Sequence, residues 1–70
     1  MAGNERIFQQ AMNDGHNAAW DQDWQQAANY FRQALEEFPQ HHTALSNLGL
    51  ALYELRDYKG ALRVYQRAAI

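Results

Sequence analysis

Cysteine is absent from the 70-residue sequence, and proline occurs once, at Pro39. Without cysteine, the chain has neither disulfide bonds nor thiolate ligands for a structural metal ion. No apolar run approaches the roughly 20 residues that a membrane-spanning helix requires. The start of the chain lacks the basic and apolar segments of a secretory signal peptide. A cytoplasmic location is therefore the default expectation.

Charged side chains are few and unevenly distributed. The formal net charge is −2, so a nucleic-acid interface is not expected. Residues 1–41 carry two basic and six acidic side chains, whereas residues 42–70 carry four basic and two acidic ones. Two interpretations stay open. The charges are solvated helix faces, or they favour head-to-tail contacts between chains.

Apolar residues recur at intervals of three and four, the period of an amphipathic helix, in four stretches of the chain. The pattern predicts helices over residues 5–20, 24–38, 41 or 42 to 55, and 58 to the end. Asp23 and Asp57 are predicted N-caps, because a carboxylate accepts from the free N–H groups of the first turn. Pro39 ends the second helix. Residues 1–4 are expected to be disordered.

A period of 34 residues relates the two halves of the chain. It connects Gly15 to Gly49, Ala27 to Ala61, Phe31 to Tyr65, Ala34 to Ala68, Asn13 to Asn47 and Asp23 to Asp57. A fixed period of this kind indicates one supersecondary unit used twice.

The repeated unit resembles a tetratricopeptide repeat. The second copy carries the pattern of that family as Leu45, Leu48-Gly49, Leu52, Ala61, Tyr65 and Ala68. The first copy carries Gly15, Ala27, Phe31, Ala34 and Pro39. It departs from the pattern at Asp14, where leucine is usual, and at Ala18, where an aromatic residue is usual. The first helix of the first copy is therefore the weaker match.

The resemblance implies an all-α fold of two helix-turn-helix units, four antiparallel helices in a fragment of an α-α superhelix. The single domain 1–70 divides into a leader at 1–7, one repeat at 8–41 and an incomplete second repeat at 42–70. Small residues are expected where helices cross closely, with Gly15 facing Ala27 and Ala34. A bulky side chain there would force the helix axes apart.

The family geometry implies a concave groove lined by the first helix of each repeat. Its lining would be Gln9, Met12, Asn13, His16, Ala19, Trp20, Thr43, Ser46, Asn47, Leu50, Tyr53 and Glu54. The contacts expected with a protein partner are Asn13, His16, Trp20, Asn47 and Tyr53. An asparagine amide both donates and accepts, so equivalent asparagines in the two repeats suit the backbone of an extended peptide. The function implied is protein–protein interaction, with an extended peptide or a partner helix in the groove.

The last helix supports an alternative, structural function. Leu62, Tyr65, Ala69 and Ile70 are expected to form an uncovered apolar face, which usually marks an interaction site. Repeat proteins commonly have three or more units, and this sequence holds two. The helix over 58–70 is then expected to mediate oligomerisation or to dock onto the rest of a longer array.

No group of residues suggests catalysis, a cofactor or a metal ion. His41 and His42 are adjacent, so on a helix they point about 100° apart and cannot grip one ion together. His16 has no histidine or carboxylate one turn away, and its neighbour at that spacing is Trp20, an expected stacking partner. Neither a nucleophile motif nor a phosphate-binding glycine loop is present. An enzyme is not expected.

Overall fold

The computed structural model describes residues 3–69, and the four predicted helices are confirmed. They are α1 (Glu5–Trp20), α2 (Trp24–Glu37), α3 (His42–Glu54) and α4 (Tyr58–Ala68). Within residues 3–69 there is no strand, and no helix is long and apolar enough to cross a membrane. The helices pack in chain order, α1 on α2, α2 on α3 and α3 on α4. The chain is therefore two helical hairpins, with α3 as the helix that joins them.

The turns inside the two hairpins are built alike. Asp23 Oδ1 accepts from the backbone N–H of Gln26 at 3.3 Å, and Asp57 Oδ1 accepts from that of Gly60 at 3.0 Å. Both predicted N-caps are thus confirmed. The residue before each aspartate adopts a left-handed conformation, with φ of 61° at Gln22 and 67° at Arg56. Gln22 and Arg56 are 34 residues apart, so the backbone conformation repeats with the same period as the sequence.

Asn4, the residue before α1, is more ordered than expected. Asn4 is the N-cap of α1, and its Oδ1 accepts from the N–H of Ile7 at 3.0 Å. Its own backbone N–H donates to Glu37 Oε1 at 3.0 Å. The expectation of disorder over residues 1–4 is therefore wrong at Asn4, because its side chain and its backbone N–H both have partners. Residues 1 and 2 lie outside the described part.

Helix α3 begins at His42, one of the two starts predicted, and His41 is its N-cap. The Nδ1 atom of His41 accepts from the N–H of Ala44 at 3.4 Å, and its ring packs on Phe8 with centroids 4.5 Å apart. Helix α2 ends one residue earlier than predicted, with Phe38 as its C-cap before Pro39. Phe38 also meets Phe8 edge-to-face. Phe38 and His41 of the α2–α3 connection thus both pack on Phe8, near the start of α1.

The buried side chains of residues 3–69 are all apolar. They come from all four helices and form one core, in which Phe31 and Leu45 are the largest fully enclosed side chains. Burial of apolar surface contributes roughly 25 cal/mol per Å² to folding, so this core is the main stabilising term.

Within each hairpin, a glycine meets an aromatic ring. A Cβ atom on Gly15 would lie 2.5 Å from Cε1 of Phe31, and one on Gly49 would lie 2.6 Å from Cε1 of Tyr65. The sequence pattern predicts Ala27 and Ala34 opposite Gly15, whereas the structure places the Phe31 ring there. The two alanines are fully buried in the core. The close contact is therefore between backbone and ring.

The two equivalent glycines should respond differently to alanine. Phe31 is 2% exposed and its ring is held on all sides, whereas Tyr65 is 41% exposed and its ring has room to move. We expect Gly15→Ala to lower the free energy of unfolding by about 1–3 kcal/mol through overpacking. Gly49→Ala should be nearly neutral, since the gain in helix propensity of roughly 1 kcal/mol offsets a small ring shift. Urea unfolding followed by circular dichroism measures both, and equal losses in the two variants would contradict this packing.

Candidate functional site

One polar contact connects the first helices of the two hairpins. The Nδ2 atom of Asn47 on α3 lies 2.9 Å from Nε2 of His16 on α1. The Asn47 amide and the His16 imidazole are therefore within hydrogen-bond distance of each other. The His16 ring also packs against the ring of Phe31, with centroids 5.7 Å apart. His16 is exposed, and the ring on which it packs is that of Phe31, not that of Trp20 as expected from the sequence.

The other three predicted contacts flank this pair without joining it. Asn13 is exposed one turn before His16 on α1, and Trp20 is 88% exposed one turn after it. Tyr53 is exposed near the end of α3 and packs on Tyr58 of α4, with ring centroids 5.3 Å apart. Of the five predicted residues, the structure therefore brings His16 and Asn47 into direct contact.

Most of the wider predicted groove lining is accessible. Gln9, Thr43, Ser46, Leu50 and Glu54 are exposed, and Ala19 is half-buried. Met12 is the exception, because its side chain is buried in the core and does not line a groove. The surface along α1 and α3 thus combines amides, hydroxyls and exposed aromatic rings.

A second candidate surface lies on α4, and we call it the α4 stripe: Tyr58, Leu62, Tyr65 and Ala69. All four residues are exposed. Their equivalents 34 positions earlier are Trp24, Ala28, Phe31 and Leu35, the stripe of α2 that faces the core. Leu62 is 58% exposed, whereas Ala28 is 0% exposed. Among residues 3–69, α2 packs closely on both α1 and α3, whereas α4 packs closely on α3. Ile70, also predicted there, lies outside the described residues.

The polar groups of the chain are arranged for capping and surface contacts. Asp23 and Asp57 are engaged as N-caps, and His41 is engaged in the same way. Among residues 3–69, no three histidine, aspartate or glutamate side chains are grouped closely enough to hold a metal ion. The chemistry available at the α1–α3 surface is hydrogen bonding and aromatic packing.

Comparison with known families agrees with this architecture. A family model described as tetratricopeptide repeat matches residues 15–70, which is most of the chain. The chain belongs to the tetratricopeptide repeat family. The match begins at Gly15, the glycine against which Phe31 packs, and extends through both hairpin turns. No curated protein and no solved structure matches the chain.

The His16–Asn47 contact should be measurable as a coupling between two substitutions. We expect His16→Ala and Asn47→Ala to show a coupling energy of about 0.5 kcal/mol in a double-mutant cycle, because the hydrogen bond is solvent-accessible. Chemical denaturation of the four proteins of the cycle measures it. A parallel cycle of His16→Ala with Gln66→Ala on α4 is the control and should give no coupling. Equal values in the two cycles would contradict a specific contact.

Proposed function

We propose that the chain binds an extended peptide of a protein partner along the surface formed by α1 and α3. Tetratricopeptide repeats are in general protein–protein interaction and scaffold modules, and they are typically non-catalytic. The observation that supports the groove is the His16–Asn47 contact at 2.9 Å, which spans the two helices. This contact links the two helices whose exposed side chains form the proposed surface.

The residues along this surface suit an extended backbone. The exposed amide of Asn13 donates and accepts hydrogen bonds. The amide of Asn47 has two N–H groups and one carbonyl, so its contact with His16 leaves further hydrogen-bonding capacity. Trp20 and Tyr53 add large exposed rings, which contribute strongly to protein interfaces. In this proposal the asparagine amides bind the peptide backbone, and the aromatic rings contact the peptide side chains.

The groove can be tested with peptides selected on the folded chain by phage display. We expect the double variant Asn13→Ala, Trp20→Ala to weaken the selected peptides by about tenfold or more, since loss of an exposed aromatic contact costs roughly 1–2 kcal/mol in binding. The free energy of unfolding should change little, because both side chains are exposed. Fluorescence anisotropy of labelled peptides measures the affinity.

Leu62→Ala is the matched control for the peptide experiment. Leu62 is an exposed apolar residue outside the groove, and its truncation should leave peptide affinity unchanged. Selected peptides that bind the Asn13, Trp20 variant as tightly as the wild type would contradict the proposed groove. Peptides that lose affinity only in Leu62→Ala would place the interaction on α4 instead.

A second function is favoured by the exposure of the α4 stripe. Leu62, Tyr65 and Ala69 stand where α2 has residues covered by α3, so a helix of similar shape would fit against them. Under this alternative, the last helix mediates self-association or docks onto further repeats. Gln10 and Asp14 occupy the α1 positions equivalent to Ala44 and Leu48 of α3, and their side chains hydrogen-bond to each other at 3.1 Å. This polar face makes α1 a poor cover for the stripe, so self-association would pair α4 with α4 of a second copy.

Self-association through α4 predicts a mass that depends on concentration. Sedimentation equilibrium should show dimers at high concentration, and Leu62→Glu should leave only monomers, because a charge in the stripe must be desolvated on association. Gln25→Glu on α2 adds the same charge at an exposed position outside the stripe and should leave the dimer intact. A wild-type chain that stays monomeric at all concentrations would exclude the self-association form of this alternative.

A further inference from the structure

A cavity of about 550 Å³ lies between α2, α3 and α4. Its lining is Arg32, Leu35, Glu36, Leu48, Leu52, Asp57, Gly60, Arg63, Val64 and Arg67. None of these residues belongs to α1, to the five predicted groove contacts or to the α4 stripe. The cavity is therefore a third surface, separate from the α1–α3 groove and from the α4 stripe.

The floor of the cavity is aliphatic. Leu35, Leu48, Leu52 and Val64 form it, and each is buried in the core with a small part of its surface left accessible. An aliphatic side chain placed on this floor would remove that remaining surface from water, which is favourable in proportion to the area covered.

Three arginine side chains surround this floor. Arg67 Nη2 donates to the backbone carbonyl of Pro39 at 2.9 Å, which anchors one side of its guanidinium group. Arg32 Nη1 is placed by a contact of 3.4 Å with Asn29 Oδ1. Arg63 also lines the cavity and is exposed. A guanidinium group has five N–H donors, so each anchored arginine keeps donors for a ligand.

The acidic residues of the lining do not cancel this charge. Asp57 Oδ1 already accepts from the N–H of Gly60 at 3.0 Å as the N-cap of α4. Glu36 contributes the other negative charge, against three positive ones. Arginine pairs with carboxylates in a planar, two-bond geometry that is stronger than an ordinary hydrogen bond.

We propose that this cavity binds a short acidic segment of a protein partner, with a leucine-type side chain on the floor and carboxylates paired with Arg32, Arg63 and Arg67. The aliphatic floor favours a peptide over a purely charged ligand such as inorganic phosphate. The net charge of −2 on the whole chain disfavours a long polyanion such as nucleic acid. The proposal does not depend on the α1–α3 groove, because the two surfaces share no residue.

The test is a titration of the ¹⁵N-labelled chain with a blocked peptide of alternating glutamate and leucine, followed by nuclear magnetic resonance. We expect chemical-shift changes at Leu48, Leu52 and Val64 and at the arginine side chains, and an affinity that falls as salt is raised. A matched peptide with glutamine in place of glutamate should bind at least tenfold more weakly. A matched peptide with serine in place of leucine should also lose affinity, because it cannot cover the floor.

A pair of arginine variants separates the cavity from general charge attraction. Arg63→Gln should raise the Kd of the acidic peptide about threefold to fivefold, the effect of one accessible charged pair. Arg56→Gln is the control, since it removes the same charge outside the cavity and at a position equivalent to Gln22, whose φ is also positive. It should leave the Kd unchanged.

Three results would overturn the proposal. The first is an absence of shift changes at millimolar peptide. The second is a set of changes centred on His16 and Asn47 or on the α4 stripe, which would assign the acidic segment to another surface. The third is an equal loss of affinity in Arg56→Gln and Arg63→Gln, which would mean that the peptide responds to the net charge of the chain and not to the cavity.

Discussion

The contact between a glycine backbone and an aromatic ring sets the spacing within each hairpin. In the first, the Phe31 ring fills the space that a side chain at Gly15 would need, and in the second Tyr65 does the same at Gly49. Helix α2 packs on α1 through this contact and also packs on α3. The groove, the arginine-lined cavity and the α4 stripe all follow from this arrangement of four helices.

The glycine–ring contact is buried in the first hairpin and partly exposed in the second, so the two ends of the described helices differ in their exposed surfaces. Phe31 is 2% exposed on a helix that packs on both α1 and α3, whereas Tyr65 is 41% exposed on a helix that packs closely on α3. At the other end, α1 presents Gln10 and Asp14 where α3 presents Ala44 and Leu48. At the position where Asp14 departs from the family pattern, α1 thus carries a polar, half-buried side chain, whereas α3 carries the buried Leu48. This face of α1 is polar, and the α4 stripe is apolar.

Local features of the sequence were sufficient to predict the helices. The caps at Asp23 and Asp57, the stop at Pro39 and the 34-residue period depend on neighbouring residues or on simple repetition. Contacts between elements were not predictable in the same way. The His16–Asn47 pair depends on the axial shift between α1 and α3, and the cavity depends on three helices converging. The caps at Asn4 and His41 were not predicted. Asparagine is a preferred capping residue, so the sequence carried a signal at Asn4, whereas histidine is not, so it carried none at His41.

Amide hydrogen exchange at low protein concentration tests the central claim, that α3 covers α2 while the matching stripe of α4 stays open. The most direct comparison is between the backbone N–H groups of Phe31 and Tyr65, which occupy equivalent positions in the two repeats. We expect the Phe31 amide to exchange at least severalfold more slowly than the Tyr65 amide. Opening α2 disrupts its packing with both α1 and α3, whereas opening α4 disrupts its packing with α3. Equal protection of the two amides, or slower exchange at Tyr65, would contradict it.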